Sequence, residues 1–296
     1  MDLKLTRMSN YYKIKCAYCG HESHIDSKVC DSCGSDIPGT VNVRRASVSA
    51  EVTALEKRYI EAKNYLLFKG LGNESDFLQG TVKNSGKSVI NTQFNFICEW
   101  LIFNKLSYQS YRRQTINGAR AKALFENDMN RSSADSFLFG SESDIIYAAL
   151  SVDEKGLISY GDITLVLKNS SIEKRTSALE KNSFHFLDDI SKKSWTWREA
   201  LPAGYMCVWE NNHKLALAKL HQFVKKDLNL SDLAALVLRS TGNRATDDFI
   251  ELYIYGKIVA SVIEKIRIPF ALSGTFNARD RLRLRELKSK FNVEEY

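Results

Sequence analysis

The chain of 296 residues predicts an α+β body preceded by a small metal-stapled module. Three observations carry that expectation. Four cysteines near the start stand as Cys16-x-x-Cys19 and Cys30-x-x-Cys33, ten residues apart. Beyond them, short β-branched stretches mix with helical ones, without the regular strand–helix alternation of a doubly wound sheet. Between the two, Val52, Leu55, Tyr59, Ala62, Tyr65 and Leu66 recur at helical spacing.

The cysteine pattern is the strongest chemical signal. Each Cys-x-x-Cys places two thiolates on one tight knuckle, and two knuckles complete a tetrahedron around Zn²⁺. Gly20 and Gly34 follow the second cysteine of each pair, where such a turn calls for positive φ. Cys16, Cys19, Cys30 and Cys33 are therefore read as ligands of a structural zinc ribbon over residues 1–42. The rival reading, two disulfides, belongs to a secreted protein. The start of the chain is charged and has no signal-like apolar stretch, and no apolar run approaches a membrane span. A cytoplasmic protein with no membrane partner is expected. Cys98 and Cys207 sit among apolar neighbours and read as buried thiols. His21 and His24 lie in the ribbon loop and are read as surface residues or as supports behind the ligands, because four thiolates already satisfy zinc.

Ser47 or Ser49 can cap the helix that follows, Glu51 lies in its first turn, and Gly70, Gly72 and Asn73 end it. It reads as the connecting helix and linker of residues 43–75, with the body over 76–296. Residues 76–90 read as a polar loop or short strand pair around Gly86, and Asn91–Leu106 as a helix. Gly161–Lys168 reads as a strand, 211–227 and 231–239 as helices, and Leu252–Val259 as a strand pair or a strand bulged at Gly256. Lys and Arg number 42 against 35 Asp and Glu, a net charge of +7, which suits a polyanionic partner. Arg279, Arg281, Arg283, Arg285, Lys288 and Lys290 crowd one C-terminal helix. That helix is either a nucleic-acid contact or a solvated face with Leu282, Leu284 and Leu287 beneath.

Four polar segments stand out in the body. They are Tyr108-Gln-Ser-Tyr-Arg112-Arg113-Gln114 running into Asn117-Gly118; Tyr147-Ala-Ala-Leu150; Tyr160-Gly161-Asp162, with Arg175-Thr-Ser177 and Asn182-Ser183; and Asp247-Asp-Phe-Ile-Glu251-Leu-Tyr253-Ile-Tyr-Gly256. In this order they resemble the mono-ADP-ribosyltransferase toxins, in particular a bacterial group of polymorphic-toxin tips, over about residues 105–270. The resemblance implies an ADP-ribosyltransferase-like split β-sheet and NAD⁺ as substrate. It also implies an antitoxin partner. Many members carry an acid or amide two residues before the glutamate. Here Phe249 stands there and Tyr253 lies two residues after, which speaks against arginine as acceptor. Lys181-Asn182-Ser183 replaces the usual Gly-Asp-Ser.

Cleaving the nicotinamide–ribose bond builds an oxocarbenium-like ribose that one carboxylate must oppose. Glu251 is the candidate. Strand alternation puts it with Tyr253 on one face, and Ile250, Leu252 and Ile254 on the other; with the apolar set toward the core, the Glu251 face is expected to be wet. Arg112 or Arg113 would hold the pyrophosphate, only one of them pointing inward, and Tyr108, Tyr147 and Tyr160 compete to stack on nicotinamide. Ser183 would join the NAD⁺ site, its rival reading being a turn residue. Loop 239–248 reads as polar and flexible, suited to recognising an acceptor or equally a plain surface loop. The expected function is an ADP-ribosyltransferase of a toxin–antitoxin or phage-defence system, its acceptor RNA or DNA more than protein. The alternatives are a non-enzymatic nucleic-acid-binding adaptor and an NAD⁺ glycohydrolase.

Overall fold

A computed structural model describes residues 13–24, 27–104, 107–116, 134, 137–139, 144–191 and 202–296. Asn117 and Gly118 of the first polar segment lie outside the described residues. In chain order the elements are β1 (Lys13–Lys15), β2 (Glu22–His24), α1 (Val41–Ala46), α2 (Ser49–Phe68), α3 (Gly72–Ser85), β3 (Lys87–Thr92), α4 (Phe94–Cys98, running on as a wider turn over Glu99–Asn104) and α5 (Tyr111–Ile116). Then follow β4 (Ile145–Ser151), β5 (Ile163–Leu167), α6 (Asn169–Ile172), β6 (Thr176–Leu179), α7 (Ser183–Ser191), β7 (Met206–Val208), α8 (Asn212–Leu220) and α9 (Leu230–Val237). The chain closes with β8 (Leu238–Arg239), β9 (Asp248–Phe249), β10 (Glu251–Tyr255), β11 (Ile263–Ile268), α10 (Phe270–Ser273), α11 (Ala278–Lys290) and β12 (Val293–Glu295).

The class is mixed α+β. One eight-stranded sheet runs β12-β11-β5-β3-β4-β10-β6-β7, and only its β11–β12 pair is parallel. β10 lies between β4 and β6, with Glu251 opposite Ala149 on one side and Leu179 on the other. Both sheet faces are covered. On the first, Leu252 and Ile254 join Leu150, Ile90 and Leu165 in the main core beneath α2, α3, α8, α9 and α11. On the second, Ile145, Leu179, Met206 and Tyr253 pack with Val41, Ala46, Leu138, Phe139, Phe186 and Leu187. A smaller cluster on that second face gathers Val89, Ala149, Val166, Leu238 and Phe249.

This two-sided cover explains why alternation misleads here. A strand buried on both faces reads as a near-continuous apolar run, as Ile163–Leu167 does with only Thr164 interrupting it, and periodicity cannot say which face is dry. Glu251 is only 3% exposed and Tyr253 is fully buried, so the wet face expected for this strand does not exist.

Other expectations shift as well. Residues 76–90 are not a loop or strand pair but most of α3 and the start of β3. α3 carries Gly72, Asn73, Gly80 and Asn84, which are poor helix formers, and is held by tertiary packing of Ser75, Leu78 and Val82. The helix expected from Asn91 begins at Phe94, after β3. β10 ends at Tyr255, and beyond Gly256 the chain makes a single antiparallel bridge, Ile258 with Tyr108, rather than a second strand; β12 was not foreseen. Leu282 is exposed, whereas Leu284 and Leu287 are buried. No helix among the described residues is long and apolar enough to cross a membrane.

Candidate functional site

The four-cysteine cluster assembles from two matching turns. The amide of Gly20 donates to Cys16 O and that of Gly34 to Cys30 O, and both glycines adopt positive φ, +74° and +69°. β1 and β2 flank the first turn. The four Sγ atoms lie within 4.8 Å of one another, with Cys16–Cys33 at 3.7 Å and Cys19–Cys30 at 3.6 Å. A Zn–S bond of about 2.3 Å gives a tetrahedron of edge roughly 3.8 Å, so the donors fit Zn²⁺. All four are free thiols rather than disulfides. The backbone N–H of Cys33 is the main cause that lowers the Cys30 thiol, whereas the Cys19 thiol is pushed up to about 11. His21 and His24 are exposed. Cys98 and Cys207 are buried, and burial pushes the Cys98 thiol up to about 12.

The second site is a buried carboxylate. Glu251 Oε2 accepts from Ser183 N at 2.8 Å and from the Tyr253 hydroxyl at 2.9 Å; Oε1 meets Asn182 Nδ2 at 3.4 Å. Asn182 is itself fixed. Its Oδ1 accepts from Phe184 N, and its Nδ2 reaches the Tyr160 hydroxyl at 3.2 Å. Ser183 opens α7, so the carboxylate meets the positive end of that helix. Tyr147 lies opposite Tyr253 and packs edge-on against its ring, with centroids 5.5 Å apart. Residues from three of the four polar segments, Tyr147, Tyr160 with Asn182 and Ser183, and Glu251, thus gather around one acid.

The first segment lies elsewhere. Arg113 is exposed and is clamped by Asp144 through Nε and Nη2, at 2.7–2.9 Å. Asp144 precedes Ile145, the partner of Tyr255, whereas Glu251 pairs with Ala149; the offset along β4 is roughly 17 Å at the usual rise per residue. Arg112 is also exposed on α5. Tyr108 bridges to Ile258 and packs against Phe96 and Trp100. The structure therefore does not bring Arg113 together with Glu251.

Loop 239–248 is the segment that sequence reasoning left least defined. It is not loose. The Asp247 carboxylate, 2% exposed, accepts from Thr241 N, Thr241 Oγ1 and Ser159 Oγ, and Ser240 Oγ accepts from Ile158 N. Arg244 donates Nε–H to Ser159 O and lays its guanidinium 4.6 Å from the centre of the Tyr160 ring. No alternation or spacing marks Arg244. Its place depends on a hairpin loop folding back on the turn before β5.

No protein-family model matches the chain, and no curated protein matches it.

Proposed function

We propose that the chain is an NAD⁺-dependent ADP-ribosyltransferase in which Glu251 opposes the positive charge of the reacting ribose. The observation that carries this reading is the convergence of Asn182, Ser183 and Tyr253 on one carboxylate, with the Tyr160 hydroxyl, 91 residues before Glu251 in the chain, behind Asn182. Ser183 N–H and the Tyr253 hydroxyl fix Oε2. Oε1, with its long contact to Asn182, is the oxygen a ribose hydroxyl can recruit. A charge held by aimed donors in a buried setting costs no reorganisation as the oxocarbenium forms.

The step balances simply. The C1′–N bond of NAD⁺ breaks and its electron pair neutralises the nicotinamide ring. A lone pair on an acceptor nitrogen or oxygen then bonds C1′, and the acceptor's proton leaves to solvent or a nearby base. The four-cysteine module holds Zn²⁺ as a structural staple. Asn42 on α1 donates to Tyr253 O and Arg175 O, so the helix after the ribbon packs on the backbone of the Glu251 strand.

A nucleic-acid acceptor suits α11. The side chains of Arg279 and Arg285 are exposed and make no hydrogen bond or ion pair among the described residues. A toxin–antitoxin or phage-defence role, with an antitoxin partner, follows from the resemblance alone. Incubating the protein with labelled NAD⁺ and total cell extract tests the proposal. Label on RNA, DNA or protein that vanishes in Glu251→Gln is expected. Free ADP-ribose alone would mean a glycohydrolase. No turnover with salt-dependent RNA or DNA binding would leave the adaptor reading.

A further inference from the structure

We propose that Arg244 binds the diphosphate of the dinucleotide whose ribose meets Glu251. The inference rests on the reading above and adds a residue to it. Arg113 is spent on Asp144 at the far end of β4. Arg175, the other arginine near β10, donates to Tyr255 O and Ser171 O. Arg244 differs from both. Only its Nε–H is engaged, by Ser159 O, and its terminal amino groups have no partner among the described residues.

The placement suits a phosphate pair. Tyr160 holds the guanidinium by its face, which leaves the N–H edge to meet oxygen anions bidentately. The same Tyr160 touches Asn182 through its hydroxyl, and Asn182 touches Glu251. Along that chain of contacts Arg244 and the Glu251 carboxylate are separated by no more than roughly 14 Å, a span that ribose 5-phosphate bridges with a hydrogen bond at each end. The loop is preorganised by Asp247, so the arginine needs little ordering on binding.

The test compares wild type, Arg244→Gln, Arg244→Lys and Arg113→Gln by calorimetric titration with ADP-ribose and with adenosine, alongside the KM and kcat for NAD⁺. Arg244→Gln is expected to weaken ADP-ribose and raise KM about tenfold or more, with adenosine affinity and kcat little changed and partial rescue by lysine. ADP-ribose affinity within about twofold of wild type in Arg244→Gln overturns the proposal. So does an equal loss for adenosine, a loss at Arg113→Gln instead, or no binding by wild type. If Glu251→Gln abolishes turnover while Arg244→Gln changes nothing, only this inference fails. If ADP-ribose binds through Arg244 but NAD⁺ is never cleaved, the site stands and the transferase reading fails.

Discussion

Replacing Glu251 by glutamine and by alanine separates its chemical from its structural part. Alanine would leave Ser183 N–H and the Tyr253 hydroxyl facing no acceptor in a site 3% exposed. Each stranded donor costs about 1–3 kcal/mol, so the loss is roughly 2–6 kcal/mol before any cavity is counted. Glutamine keeps one oxygen toward those two donors and turns an amide toward Asn182, whose own amide can rotate only by giving up Phe184 N. It also removes the cost of burying a charge. The stability change should therefore be small, about 1 kcal/mol. Turnover should behave oppositely: losing the charge that faces the oxocarbenium should cost about 10²–10³ in kcat, the scale of an electrostatic transition-state contact. Urea melts and NAD⁺ turnover on the same preparations read both effects. A glutamine variant that turns over within about threefold of wild type, or unfolds as readily as the alanine variant, would refute the reasoning.

Other perturbations address the metal, the backbone and the pH response. Chelation should release one Zn²⁺ per chain and melt the ribbon before the sheet, because each domain keeps its own core; zinc stoichiometry and a two-step melt check this, and Cys30→Ser should reproduce it. Gly161→Ala would drive a Cβ to 2.3–2.4 Å from the Thr92 backbone, which cannot step aside. It should cost about 1–3 kcal/mol and shift Tyr160 beside it, lowering turnover more than a distant change of equal cost; melts and kinetics together show the difference. His213 is partly buried, and burial is the main cause lowering its pKa from 6.5. The unfolded chain then binds more protons below pH 6.5, so stability should fall as pH drops from 6.5 through the lower folded value. His213→Gln should flatten that part of the Tm–pH curve.

What could be read in advance follows the range of the interactions. The four-cysteine module was legible because its ligands, its turns and its two glycines are local. α2 was legible because Leu55, Ala62 and Leu66 keep helical register and are buried, along with Glu51, although Val52 and Tyr65 of the same pattern are exposed. α3 was not, because Leu78 and Val82 are too sparse a stripe among glycines and asparagines to outweigh propensity. The reading put Tyr108, Arg112, Arg113, Tyr147, Tyr160, Ser183 and Glu251 in one site; Tyr147, Tyr160, Ser183 and Glu251 lie together around β10, whereas Arg113 is held by Asp144 and Tyr108 bridges to Ile258. Spacing did not reveal that Asn182 orients the acid, because Nδ2 and Oδ1 are aimed by partners in the turn at Phe184 and across the fold at Tyr160.

The misplaced wet face has the same origin and bears on function. Alternation in β10 sees only one neighbouring layer. The second layer comes from residues 41–46, 137–139 and 183–187, which no window around Glu251 contains. That layer turns an acid on a strand into an acid in a polar nest. The difference decides between the two bland fates of such a residue. An exposed strand glutamate needs no partners, whereas a buried one without a purpose is a liability that an apolar side chain would remove. Three aimed donors, a helix start and a stacked arginine two side chains away make up a costly arrangement for a residue that only fills space. It is a reasonable one for a residue that must remain an anion while a cation forms against it.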